Sequence, residues 1–236
     1  RRIRPHRIGI GSGRAPAALT LARLGKEGFG QEIPRFHPYT ITVPGACAAW
    51  CDLVERFGAL SIGQVLAPAI HLAQEGFPVA PVTSYYWQRS EPLLVNAPNG
   101  KELLVDGHAP GSGAIFRNPT LAATMQKISD GGKGAYYQGA IAEAIARVVQ
   151  QAGGCLDLAD LAEHTSTWEE PISVLYRDVR VWECPPNGQG LAALLALNLL
   201  QGFDVASLKA GSADRLHLMI EAMRVAFIDA RRYIAD

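Results

Sequence analysis

The chain has 236 residues, 48% of them hydrophobic and 19% charged, with 22 Lys and Arg balanced by 22 Asp and Glu. That length can bury a substantial core, as one large domain or as part of something larger. The zero net charge lacks the basic excess that a nucleic-acid binder or a polybasic membrane-surface protein needs, and the longest strongly apolar stretch, 191–200, falls short of the roughly 20 residues that cross a bilayer.

The chain opens with its one dense basic run, Arg1, Arg2, Arg4 and Arg7, alternating with Ile3 and Ile8, which reads as the solvated face of a strand over 3–10. Gly11-Ser12-Gly13-Arg14-Ala15-Pro16 follows. A guanidinium beside a glycine-rich turn is a receptor for a carboxylate: its planar fork can donate two parallel charge-assisted hydrogen bonds, and the glycines let the backbone come close to the ligand. The same glycines invite a dinucleotide-binding reading, but the spacing fails, because GxGxxG counted from Gly11 meets Pro16 and the preceding segment is arginine-rich instead of a buried parallel strand.

Residues 17–28 are helical or irregular, and 34–44 are rich in turns. Ala48, Cys51, Leu53, Val54 and Phe57 then mark an amphipathic helix ended by Gly58, and Ser61 caps a second one, 62–74, with Ile62, Val65, Leu66, Ala69, Ile70 and Ala73 on one stripe and Pro68 as a kink. A helix over 82–94 precedes a polar turn region, 96–113. Asn118-Pro119 opens a helix to Ile128, another over 141–149 stops at Gly153-Gly154, and Asp157 caps a short one reaching Glu163. Ile172–Tyr176 and Val179–Trp182 form a hairpin through Arg177-Asp178. The helix 191–200 is apolar on nearly every side and so is expected to be covered on both. A long final helix carries Leu216, Ile220, Met223, Phe227, Ala230 and Ile234 as its apolar stripe. No repeat or linker separates two halves, so residues 1–236 read as one domain.

Cys47, Cys51, Cys155 and Cys184 have no CxxC spacing and read as small core residues, and the six histidines form no HExxH or His-x-His, so no metal and no cofactor are expected. Dispersed, unpaired cysteines lean towards the cytoplasm over an oxidising compartment. His164-Thr165-Ser166-Thr167 sets a hydroxyl beside a base, but adjacency along the chain does not build a nucleophile, a base and an oxyanion hole in space, and these threonines read as a loop before the hairpin. Pro185-Pro186-Asn187-Gly188-Gln189-Gly190 could expose backbone N–H groups to a ligand, but a turn leading into the next helix explains it as well and is preferred.

Read in order, several segments resemble the large subunit of the γ-glutamyltranspeptidase family: Gly13-Arg14-Ala15-Pro16, Thr42-Val43-Pro44-Gly45, Leu66-Ala67-Pro68-Ala69, Gly134-Ala135-Tyr136-Tyr137-Gln138-Gly139, Asp160-Leu161, Pro171-Ile172-Ser173 and Pro185–Gly190. The resemblance implies a helix-rich α+β part of the N-terminal-nucleophile hydrolase fold, a four-layer αββα sandwich made as a self-cleaving precursor. It further implies acyl transfer through an N-terminal threonine lying downstream of this chain, so no catalytic residue is expected here. Arg14 would bind the substrate carboxylate, the small subunit of the same precursor would be the partner, and a γ-glutamyl or other carboxylate-bearing amide would be the substrate. Ala15 stands where better-known members carry an acidic residue, and related branches hydrolyse oxamate or acylated β-lactam side chains. The chain therefore reads as a large-subunit fragment, inactive by itself, the alternatives being another amide hydrolase of the same family or a non-catalytic anion-binding scaffold.

Overall fold

The computed structural model describes residues 7–30 and 32–234, which form two compact units. The first six residues, on which much of the expected 3–10 strand falls, lie outside the described set. One unit comprises 11–166. Its helices are α1 (Leu21–Lys26), α2 (Ala46–Phe57), α3 (Ile62–Glu75), α4 (Pro81–Asn96), α5 (Pro119–Tyr137), α6 (Ala140–Gln151) and α7 (Leu158–Ala162). The discontinuous unit includes β1 (Ile8–Ile10), β4 (Thr167–Glu169), β5 (Ile172–Tyr176), β6 (Val179–Glu183), α8 (Gly190–Leu200) and α9 (Ala213–Tyr233).

In the 11–166 unit the helix starts follow from local chemistry. Ser61 and Gln64 form a reciprocal capping box at α3, Asn118 accepts the Leu121 N–H at α5, and Asp157 and Asp160 form a second capping box at α7. The run from Asn118 extends well past Ile128 to Tyr137, interrupted where Gly132 takes a positive φ of 61°. A short antiparallel pair, β2 (Phe77–Pro78) with β3 (Ile115–Phe116), closes the loop around α4. The core gathers Val43, Cys47, Leu66, Ile128, Leu156 and Leu161 between α2, α3, α5, α6 and α7. Of the stripe expected on α2, Ala48 is buried beside Cys47 and Cys51 packs against the core, whereas Leu53 and Phe57 are exposed. Tyr39 is buried and donates its hydroxyl to Glu27 at 2.6 Å, tying the 20–40 segment to itself.

In the other unit β1 pairs antiparallel with β4, Ile8 facing Glu169 and Ile10 facing Thr167. Thr167 is therefore a strand residue, not part of a loop. β5 and β6 form the expected hairpin, with Arg177 at φ 53° in its turn. α8 packs against this hairpin and against α9, so its apolar surface is used on two sides. The final helix departs from expectation. It buries Ala222 and Ala226, with Leu218 partly covered, against Ala196, Leu200 and Val205, while Leu216, Ile220 and Met223 are exposed along a groove with Phe227 and Arg231. Small residues on the Ala222 face let α9 approach α8 closely, and that contact outranks the larger apolar stripe.

Leu161 is fully buried in the core of the 11–166 unit. Leu161→Ala should lower the unfolding free energy by about 2–5 kcal/mol in chemical denaturation, through lost burial and the cavity left behind.

Candidate substrate-binding site

Arg14 leaves a turn made by two backbone segments in close contact. The Val43 N–H donates to Arg14 O at 3.0 Å. A Cβ on Gly13 would sit 1.6 Å from Val43 O, and one on Gly45 would sit 1.8 Å from Gly11 O. Only glycine permits these approaches. The 43–48 corner is held in turn by Tyr137, whose hydroxyl donates to Pro44 O at 2.7 Å and accepts the Ala48 N–H at 3.1 Å. Burial pushes the Tyr137 phenol well above its ordinary range, which keeps it a neutral donor.

From the other side the turn is anchored by Asp160. Its side chain is 2% exposed, its Oδ1 accepts the Ala17 N–H at 2.8 Å, and its Oδ2 accepts the Asp157 N–H at 3.2 Å. One buried carboxylate thus fastens the 14–17 turn to the start of α7. Arg14 projects beside it: Nη2 stands 3.9 Å from Asp160 Oδ1 and donates to Glu163 Oε2 at 2.7 Å. The Arg14 side chain remains 48% exposed, so its charge is within reach of a ligand.

Behind this surface lies a polar cluster. The His164 ring packs on Tyr137 with centroids 5.2 Å apart, and its buried Nε2 faces the Gly45 backbone without a well-formed hydrogen bond. Desolvation depresses the His164 pKa, and the nearby Arg14 charge adds to the effect. Asp52 pairs with Lys133 and faces the buried Ser166 hydroxyl. Partial burial would raise the Asp52 carboxyl, but its polar surroundings, the paired Lys133 ammonium first among them, outweigh burial and hold it low. His164 and Ser166 are thus packed into structure; they do not converge as base and nucleophile on an open cleft.

Of the cysteines expected in the core, Cys47 is buried and Cys51 and Cys155 are partly buried, but Cys184 is exposed. Burial, with Cys51 four residues on, pushes Cys47 up to about 12, and burial also raises Cys51 and Cys155. Among the described residues no three His, Cys, Asp or Glu side chains group in a way that could hold a metal ion, and no helix is long and apolar enough to cross a membrane.

Sequence reasoning singled out Arg14 as a candidate, which the structure places half-exposed at this turn, and it found the Asp157 cap, but it missed Glu163, the anchoring role of Asp160 and the Tyr137 brace. The Asp157-x-x-Asp160 capping box carried a local signal for one of these. The Arg14–Glu163 contact spans 149 positions and left none.

The fold is the helix-rich α+β part of an N-terminal-nucleophile hydrolase. A sequence profile of the gamma-glutamyltranspeptidase family matches residues 4–236, and the chain belongs to that family. It is 33% identical to the glutathione hydrolase-like YwrD proenzyme of Bacillus subtilis (strain 168), over 83% of this chain and 38% of the relative. To the acylase ACY 1 proenzyme of Pseudomonas sp. (strain SE83) it is 35% identical, over 83% of this chain and 36% of the relative. The crystal structure of cephalosporin acylase from Bacillus halodurans superposes with a TM-score of 0.87 at 38% identity, covering 97% of this chain and 44% of that one. The chain therefore spans less than half the length of each of these three relatives.

Two outcomes check the site's construction. Asp160→Ala should lower stability by about 1.5–3 kcal/mol, the effect of losing hydrogen bonds to a charged acceptor, and should speed hydrogen exchange at the Ala17 amide. His164, depressed in the folded state, adds a contribution to stability that is complete above its unfolded pKa of about 6.5 and is lost as pH falls through the folded value. Denaturation of His164→Gln between pH 7 and 5 should show a flatter loss of stability than the unsubstituted chain.

Proposed function

We propose that this chain is the large-subunit portion of a γ-glutamyltranspeptidase-like enzyme that cleaves γ-glutamyl amides such as glutathione and passes the acyl group to water or an amine. In this reading the nucleophile is a threonine freed by autoproteolysis in the small subunit of the same precursor. Its hydroxyl attacks the amide carbonyl, its own α-amine takes the proton, and the amine leaving group departs to give an acyl-enzyme that the acceptor resolves. Residues 1–236 supply the binding half and are inactive alone.

The observation that carries the proposal is Arg14, a half-exposed guanidinium fixed at a glycine-built turn and already engaged by one surface carboxylate. Membership of the family supports the reaction class, and the exposed apolar face of α9 is compatible with cover by further chain. A second reading is another amide hydrolase of the same family, acting on acylated side chains or a small carboxylate-bearing amide. It is favoured by the 38% identity to cephalosporin acylase and by Ala15 beside the arginine. Both readings use Arg14 for a carboxylate.

In the processed enzyme, Arg14→Ala should lower kcat/KM for γ-glutamyl-p-nitroanilide by the equivalent of roughly 2–5 kcal/mol, the range for truncating one partner of a hydrogen-bonded charge pair. Unchanged kcat/KM would refute the clamp. The purified 236-residue chain alone should release no nitroanilide, and turnover proportional to its concentration would contradict the placement of the nucleophile outside it.

A further inference from the structure

The Arg14 fork is occupied. Two carboxylates address the same nitrogen, Glu163 at 2.7 Å and Asp160 at 3.9 Å, and they differ in freedom. Asp160 is buried and committed to the Ala17 and Asp157 N–H groups, so it cannot leave without dismantling the turn. Glu163 caps the C-terminus of the five-residue α7, its side chain is 67% exposed, and it meets Arg14 through a single hydrogen bond to Nη2. Rotation about its own side-chain bonds would carry it into water with no movement of the backbone. An incoming carboxylate cannot share that face of the guanidinium with Glu163 without like-charge repulsion, and of the two carboxylates only Glu163 can yield.

We propose that Glu163 is an internal occupant of the Arg14 site: it stands in for the substrate carboxylate in the free enzyme, swings out when the donor binds, and thereby sets the affinity threshold for anionic donors. This rests on the reading of Arg14 as the donor-carboxylate clamp. Glu163 is a specificity-determining residue here and touches none of the reacting atoms. Its exposure makes it a weak competitor, worth the modest effect of a surface ion pair. In the free enzyme it keeps the guanidinium paired, and it holds out ligands too weakly charged to displace it.

The test is a double-mutant cycle in the complete, processed enzyme, with γ-glutamyl-p-nitroanilide as donor and each preparation normalised by active-site titration. Glu163→Gln should lower KM by about two- to five-fold with kcat little changed, and Glu163→Ala, which removes the side chain altogether, should do the same. In an Arg14→Ala background, Glu163→Gln should have no more than a marginal effect. If Arg14→Ala alone raises KM but Glu163→Gln leaves it unchanged, the internal occupant is refuted while the clamp stands. A rise in KM with Glu163→Gln would also overturn the proposal, by making Glu163 a ligand of the donor. So would an equal drop in KM in both backgrounds, since it would not act through Arg14. If Arg14→Ala itself has no effect, the clamp falls first and the occupant with it.

Discussion

The close passage of two backbone segments, 11–14 against 43–45, is the constraint on which the site depends. Any side chain at Gly13 or Gly45 would overlap a carbonyl oxygen of the opposing segment, so the turn that aims Arg14 exists only with glycine at both places. The rest of the unit is arranged to hold this crossing. Tyr137, arriving from the end of α5, fixes the 44–48 corner through two hydrogen bonds, and Asp160, arriving from α7, fixes the 14–17 turn through the Ala17 N–H. The positioning groups are buried, while the group they position is half exposed. A rigid frame around an accessible cation suits a binding residue, because little ordering remains to be done when a ligand arrives.

The electrostatics of the same region separate binding from chemistry. Arg14 stands beside one buried carboxylate, Asp160, and one exposed carboxylate, Glu163, and the exposed one is the easier to exchange for another anion. Three candidates for covalent chemistry in this region are disarmed by their surroundings: Cys47 is raised far from a thiolate, the Ser166 hydroxyl is buried, and the His164 ring packs on Tyr137 with its pKa depressed by desolvation. That arrangement is what the proposed function requires, in which this chain binds the donor and a further part of the precursor attacks it; the chain spans 38% of the YwrD proenzyme and 44% of the cephalosporin acylase.

Much of the helical framework was legible because its signals are local. Ser61 with Gln64, Asn118 before Pro119, and Asp157 with Asp160 are each contained within four residues, and each begins a helix where expected. The hairpin through Arg177-Asp178 was legible for the same reason. The three-residue β4 was not, because its partner β1 lies more than 150 positions away and the pairing is set by tertiary contact. The face of α9 was misjudged for a related reason: periodicity reports an apolar stripe, but which stripe is buried depends on the neighbour, and α8 selected the small residues Ala222 and Ala226. At the candidate site, the glycines around Arg14 drew attention to it in the sequence, and two of them do make the close backbone passage there. Glu163 could not, since an exposed glutamate after a short helix has the appearance of any solvated residue until its distant partner is known.

The most direct test of the account is a crystal structure of the complete processed enzyme with a non-hydrolysable γ-glutamyl donor analogue bound. The donor carboxylate should accept hydrogen bonds from the Arg14 guanidinium at about 2.7–2.9 Å, the usual range for such charge-assisted contacts, with Glu163 turned away into solvent. A donor carboxylate held by other residues, with Arg14 still paired to Glu163, would contradict the assignment of this site.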